Sequence, residues 1–498
     1  MSPTSAGPDP ATPDQAEIAT ETGVSGPQLK HGALGLPAVI MQGVTHIAPA
    51  LAILFSLQFA VQQGGVTAPL TYVAAFLIVL VLAVVLTQLA RQFPSAGGYF
   101  TYVSRTLNPR TGFMVAWLFF WYSPLSTGVA LAALGSVLQG EIKSNYGVNI
   151  PWWIWLVVGV AIITVLVIRG VEIGARTMII GGSIEIAIVL LLSIWGLFDP
   201  GHGGANLNGF NPGNIPNFNG FSLAVVFTIF TFTGWEASAA QGEESRNPKR
   251  NVPRGIIGAA IILGIFLIFS SWAQTIGWGT HSVSSLATST ELPSFVLAHR
   301  FWHGAWVILA FALLNSAIAG SVAYTSVTSR MWYSMARAGA LPKALAKIHP
   351  RFKTPSNAVL ANGAITTTYA LITGIVIGAF GQFIFYGIAL TFALVFVYGA
   401  ANVGVTRYYW RERRSEFNYV LHLAFPILGT AALLWLGYKT VNPFPASPNN
   451  WAPIIVGIWF LLGLTVLLIM RSRGREEWLL RAGRHAFEDT PGSGISEK

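Results

Sequence analysis

Residues 232–256 read FTGWEASAAQGEESRNPKRNVPRGI. The stretch begins inside an apolar run and sets Glu236 in that run, two residues after a glycine. Six charged residues then crowd between Glu243 and Arg254 before apolar sequence resumes. Pro248 and Pro253 punctuate the charged part, where they are expected to stop one helix and start the next. So sharp a switch between apolar and charged sequence separates two environments.

The rest of the chain identifies them. Of its 498 residues, 53% are hydrophobic and only 10% are charged, and the mean hydropathy is +0.58. Soluble domains carry about 25% charged residues. A helix needs roughly 20 apolar residues to cross a bilayer. Twelve such segments occur, near residues 36–61, 67–90, 112–139, 151–168, 176–197, 220–242, 254–278, 302–332, 357–379, 382–406, 418–438 and 452–470. The expected fold is therefore an all-α integral membrane protein with 12 transmembrane helices.

Residues 1–33, with four acidic residues and no basic leader region, are expected to form a disordered cytoplasmic tail. Residues 471–498 are expected to form a second cytoplasmic tail, after a transmembrane domain spanning 34–470. The Gly-, Asn- and Pro-rich residues 199–219 hold no lysine and no Walker spacing, and are expected to be a loop rather than a phosphate cradle.

Basic residues set the orientation. With a cytoplasmic N-terminus, 26 of the 29 Lys and Arg residues lie on the cytoplasmic side, and only Lys143, Arg300 and Lys439 lie outside. This is the positive-inside pattern, and it places both termini in the cytoplasm of a plasma-membrane protein. The formal charge of +10 suits an anionic lipid leaflet and requires no nucleic acid. The absence of cysteine excludes disulfides and thiolate metal sites.

Only two of the nineteen acidic residues, Glu185 and Glu236, fall within apolar segments. An ionisable group at that depth costs on the order of 3 kcal/mol and normally faces a cavity or a partner. The plainer alternative is a glutamate that ties off backbone groups where a helix is irregular. His46 is the single histidine near the middle of a segment; such a residue is either a packed core group or a contact for a proton or substrate. Its neighbourhood, Thr45-His46-Ile47-Ala48-Pro49, contains a proline that cannot donate its backbone hydrogen bond. The sixth segment has its own weak point at Thr231-Phe232-Thr233-Gly234. Two interruptions at corresponding depths, five segments apart, point to inverted repeats around a midplane binding site. The eighth segment sets Ser316, Gly320, Tyr324 and Thr328 on one face, which suits either close helix packing or a pore lining.

Three motifs carry a family resemblance. Gly234-Trp235-Glu236, followed by Gly242-Glu243-Glu244-Ser245-Arg246-Asn247-Pro248-Lys249-Arg250-Asn251-Val252-Pro253-Arg254, is similar to the GxE…EExxNPxRxxPR signature of amino acid–polyamine–organocation permeases. Phe93-Pro94-Ser95-Ala96-Gly97-Gly98-Tyr99 resembles that family's segment after the second span. Ala336 to Lys343, with His349-Pro350 and Thr354-Pro355, resembles its loop after the eighth.

The resemblance implies a leucine-transporter-like fold, with inverted repeats over about 34–198 and 219–407 and two further helices over 418–470. It also implies that Glu236 gates or senses a proton and that Phe230 closes over substrate. Tyr324 would stand near the pocket, and Glu185 would take a fifth-span position where some members carry a lysine. A carboxylate there leaves a proton, a cationic substrate or a metal ion as its partner. Glycine-rich breaks in the first span accompany α-amino acid binding in the family, and this chain has none there. The charged residues between Glu243 and Arg254 are either loop ion pairs that tie the sixth span to its neighbours or a solvated loop.

The expected function is proton-coupled uptake of amino acids by alternating access. Transport or exchange of polyamines or other small amines is the alternative, and a non-transporting solute sensor is a further one. No zinc-protease motif, nucleophile elbow or ATP-binding motif occurs, so no enzyme, metal or cofactor is expected. The expected partners are a small-molecule substrate, protons and the lipid bilayer.

Overall fold

Helices make up the architecture. The computed structural model describes residues 34–473 apart from 96, 171–174, 243, 338–340 and 353. Among them the only extended pairing is a two-residue bridge, Leu34 with Ser245. The expected tail 1–33 and residues 474–498 of the expected tail 471–498 lie outside the described residues, as does Glu243.

The helices run in chain order α1 (Leu36–Ile47), α2 (Pro49–Gly64), α3 (Ala68–Gln92), α4 (Gly98–Thr106), α5 (Pro109–Tyr146), α6 (Trp152–Ile168), α7 (Ala175–Phe198) and α8 (Phe218–Phe230). They continue as α9 (Pro248–Trp278), α10 (Val283–Ala287), α11 (Pro293–Trp302), α12 (Val307–Arg337), α13 (Ser356–Ile377), α14 (Gly381–Arg411), α15 (Phe425–Val441) and α16 (Trp451–Ser472). Local chemistry sets several ends. Asn108 caps α5 by accepting from the Thr111 amide at 2.9 Å, and Gly147, at φ 70°, ends it. Asn217 caps α8 through the Gly220 amide at 2.6 Å.

Ten helical runs are long and apolar enough to cross a membrane by length and composition. The first, Leu36–Gln92, has 57 residues. It joins the first two expected segments, because only the short 3-10 turn Gly65–Thr67, with Gly65 at φ 57°, lies between their helices. Trp152–Ile168 is a shorter apolar helix. Two expectations about ends need correction. The third segment continues to Tyr146, well past residue 139. Helix α9 begins at Pro248, and Pro253 lies inside it rather than starting it. Pro248 takes the first position, where a missing N–H costs little, whereas Pro253 is the sixth residue and removes one intrahelical bond.

The outward faces are apolar. Leu77 is 56% exposed, Ile265 63%, Ile375 76% and Leu461 61%. Burying such side chains is worth about 1.5–3 kcal/mol each, so a solvent of hydrocarbon is the one that suits them. The interior, around Ile53, Leu54, Phe55, Tyr72 and Phe232, is fully packed.

Among the described residues, ion pairs lie near or just beyond helix ends. Arg300 pairs with Asp199 at 2.9 Å where α7 finishes, and also donates to the Gly277 carbonyl near the end of α9. Arg105 reaches Glu412 at 3.5 Å, beyond the end of α14. Two of the three sequence motifs also meet, and the third joins the end of α6. Gly242 lies against the backbone of Ser95, whose nitrogen would be 2.3 Å from any added Cβ. The Leu34 amide donates to the Glu244 carbonyl at 2.9 Å, and the Arg246 amide to the Leu34 carbonyl at 3.0 Å. Thr354 donates to the Ile168 carbonyl at 2.6 Å.

Candidate functional site

The first break is Ala48. It separates α1 from α2 in the left-handed conformation, at φ 57° and ψ 73°. A side chain there costs roughly 1–2 kcal/mol, and strain of this kind clusters at functional sites. Pro49 follows as the first residue of α2, where its fixed φ suits a helix start.

The second break is Thr231 to Gly234. Helix α8 ends at Phe230, and a 3-10 helix, Trp235–Gln241, takes over after four turn residues. Gly234 has φ 122°, which glycine alone adopts freely. The sixth expected segment is thus two pieces that meet midway.

The two breaks touch each other. A Cβ on Gly234 would lie 2.9 Å from Ile47 Cγ1 and 3.1 Å from His46 Cδ2. Between them and the facing helices is a cavity of about 70 Å³. Helix α1 gives it His46 and Ile47, α5 gives Ser126 and Thr127, and the second break gives Phe230, Thr231 and Thr233. Helix α12 adds Ser316, Gly320, Ser321 and Tyr324, and α14 adds Phe383 and Tyr386. The rings form a box: His46 and Tyr324 are 4.0 Å apart by centroid, while Phe230 meets Phe383 edge-on at 5.3 Å. His46 Nδ1, Thr127 Oγ1 and Ser321 Oγ are buried without a protein partner. A buried polar atom of this sort normally has a partner, so these three are open to a ligand. Phe230 and Thr233 also border a second, smaller void of about 20 Å³ that reaches Trp235 and Tyr398.

Glu185 lies one layer behind the cavity. It is 1% exposed. From α7 it accepts from Asn315 Nδ2 at 2.7 Å and from Ser316 Oγ at 3.1 Å, and it lies near the Ala50 amide. Ser316 Oγ in turn accepts from the Leu51 amide at 3.3 Å. One carboxylate therefore ties α7, α12 and the start of α2 together. Glu236 caps the second break. Its Oε2 accepts from the Gly234 amide at 2.9 Å. The Tyr398 hydroxyl lies close to Glu236 without the alignment of a hydrogen bond.

The predicted residues thus fall into two shells. His46, Ile47, Ala48, Phe230, Thr231, Thr233 and Tyr324 line the cavity. Thr45 points toward α7, with its hydroxyl 3.3 Å from where a Gly182 side chain would start. Pro49 and Gly234 shape the breaks. Phe232 turns away into the core against Phe76, with ring centroids 6.4 Å apart.

Sequence reasoning passed over Ser126, Thr127, Asn315, Phe383 and Tyr386. Ser126-Thr127 and Asn315 were visible as polar residues inside apolar segments, whereas Phe383 and Tyr386 resemble any packed aromatic. A third buried carboxylate, Glu141, 7% exposed near the end of α5, pairs with His299 at 2.9 Å. It joins α5 to α11, away from the cavity.

Comparison with known proteins places this geometry in context. Residues 38–479 match the family model described as amino acid permease. The low-affinity putrescine importer PlaP of Escherichia coli is 26% identical over 455 residues, covering 87% of this chain and 92% of that protein. The branched-chain amino acid permease BcaP of Lactococcus lactis is 24% identical over 84% of this chain and 90% of its own length. The serine/threonine exchanger SteT of Bacillus subtilis is 25% identical, over 78% and 85%.

Proposed function

Given that the chain belongs to the amino acid permease family, and is a multi-pass membrane transporter of amino acids or amines rather than an enzyme, we propose that it carries a small amine-bearing solute by proton-coupled alternating access across the plasma membrane. Both termini lie in the cytoplasm on this reading, as the distribution of basic residues requires. Twelve crossings follow when Leu36–Gln92 is counted twice and Trp152–Ile168 is included. Residues 34–198 and 219–407 form the inverted repeats, and α15 and α16 are the two added helices.

The observation that carries this reading is the contact between the breaks at Ala48 and Gly234, over one cavity, with a buried glutamate on each break. Broken helices at the level of a cavity are where transporters of this architecture hold their substrates. The relatives' named substrates, a diamine and neutral amino acids, share an amino group. Glu185 is the proton-coupling residue, because the charge it carries decides how firmly α7 holds α12 and α2. A proton weakens its acceptors and biases the equilibrium between the two access states. Glu236 and Phe230 form the gate: Glu236 fixes the second break, and the Phe230 ring stands between the two voids.

Uptake into proteoliposomes tests the proposal. Purified protein should accumulate an amino acid or amine, chemically unchanged, when the outside is made acidic. Binding without accumulation would remove the transporter reading, and accumulation indifferent to a pH gradient would remove the proton.

A further inference from the structure

Two helices start inside the bundle, at Pro49 and at Trp235, and the protein's own carboxylates already cover both starts. Ser316 Oγ, which itself donates to Glu185, takes the Leu51 amide, and the Ala50 amide lies beside the Glu185 carboxylate. Pro49 has no N–H to offer. At the other break Glu236 takes the Gly234 amide. Inward-facing helix starts are where an anionic substrate head would sit. Here the Leu51 and Gly234 amides are already engaged.

The cavity offers the opposite chemistry. Its unpartnered polar atoms, His46 Nδ1, Thr127 Oγ1 and Ser321 Oγ, can each accept a hydrogen bond, and the two hydroxyls can donate one as well. Four aromatic rings, from Phe230, Tyr324, Phe383 and Tyr386, surround them. Aromatic faces attract ammonium groups, with a gain of about 2 kcal/mol or more when water is excluded. No Lys or Arg is among the residues lining the cavity. A substrate carboxylate would therefore lack a countercharge and sit near Glu185, just behind Ser316.

We infer that the substrate is an organic ammonium without a carboxylate, and that Glu185, through Ser316, and Glu236 exclude the corresponding α-amino acid by occupying the amides its carboxylate needs. The inference rests on the transporter reading above and specifies the substrate of that same site. Exclusion works by leaving the wrong ligand with an unpaired buried charge.

Matched pairs differing only in the carboxylate provide the test, using the full chain in proteoliposomes. Suitable probes are isoamylamine against leucine, phenethylamine against phenylalanine, and 1,4-diaminobutane against ornithine. Both accumulation and ligand-induced shifts in the unfolding midpoint are read. At least one amine should accumulate, with its amino acid partner weaker by about 100-fold or more. The winning pair also separates a monoamine from a diamine. An amino acid preferred over its amine would overturn this inference while leaving the transporter intact. Accumulation and binding of none of the six would overturn the transport of amino acids or amines along with it.

Discussion

Gly234 and Ile47 are in backbone contact: a methyl group on Gly234 would lie 2.9 Å from Ile47 Cγ1 and 3.1 Å from the Ile47 nitrogen. The break in one broken helix thus rests directly on the break in the other. In the proposed alternating-access cycle, this close approach would transmit movement of one break to the other. The contact also explains why the position is glycine twice over, through space and through a φ of 122°.

Replacing Gly234 by alanine should therefore be severe. Strain at a positive φ adds to a clash with backbone, and a loss of 2 kcal/mol or more is expected. The variant should unfold at a lower temperature and transport nothing measurable. Gly234→Ala with native uptake and an unchanged unfolding midpoint would show that the breaks do not bear on each other.

Much of this was legible in the sequence, for physical reasons. Apolar length and confined charge announce membrane helices without any tertiary information. Pro49 and Gly234 mark breaks because each breaks the backbone pattern by itself. The partners of Glu185 were hidden, since Asn315 and Ser316 are 130 and 131 residues away and only packing brings them close. The same holds for Phe383 and Tyr386, whose role depends on facing a void rather than a neighbour. Helix ends also escaped notice: Tyr146 extends α5 beyond its apolar stretch because a helix can continue into water where a cap allows it.

Glu185 yields a pair of contrasting variants. Glu185→Gln keeps oxygen for some donors and should fold, but uptake should no longer respond to external pH. Glu185→Ala takes the acceptor from one Asn315 N–H and from the Ser316 hydroxyl and should cost about 1–3 kcal/mol. Circular dichroism melts and initial uptake rates from pH 5 to 8 measure the two effects. A pH response in Glu185→Gln equal to that of the parent would disqualify this residue as the proton site.

The strap at Leu34 makes a separate prediction about the gate. Two backbone hydrogen bonds, at 2.9 and 3.0 Å, hold Leu34 to Glu244 and Arg246 just ahead of α1. Leu34→Pro deletes the first of these, worth roughly 0.5–1.5 kcal/mol. The fold should survive, because the bulk of the core lies elsewhere. One access state should be lost in part, seen as a several-fold change in counterflow rate with little change in substrate affinity. If affinity shifts instead and counterflow does not, the strap belongs to the binding site and not to the gate.

Glu236 should behave differently from Glu185 because its bonds are local. The Gly234 amide belongs to the same break as Glu236 itself, so its carboxylate shapes one turn rather than joining three helices. Glu236→Gln still presents an oxygen to Gly234, and the break should keep its form. The unfolding midpoint should stay within about 0.5 kcal/mol of the parent, as for a substitution that preserves its hydrogen bonds. Turnover should change several-fold through the gate, while the dependence of accumulation on the pH gradient persists. Uptake that becomes insensitive to pH in Glu236→Gln and stays sensitive in Glu185→Gln would exchange the two roles. The proton would then act at the contact between Gly234 and Ile47 itself, and not through the helices behind it.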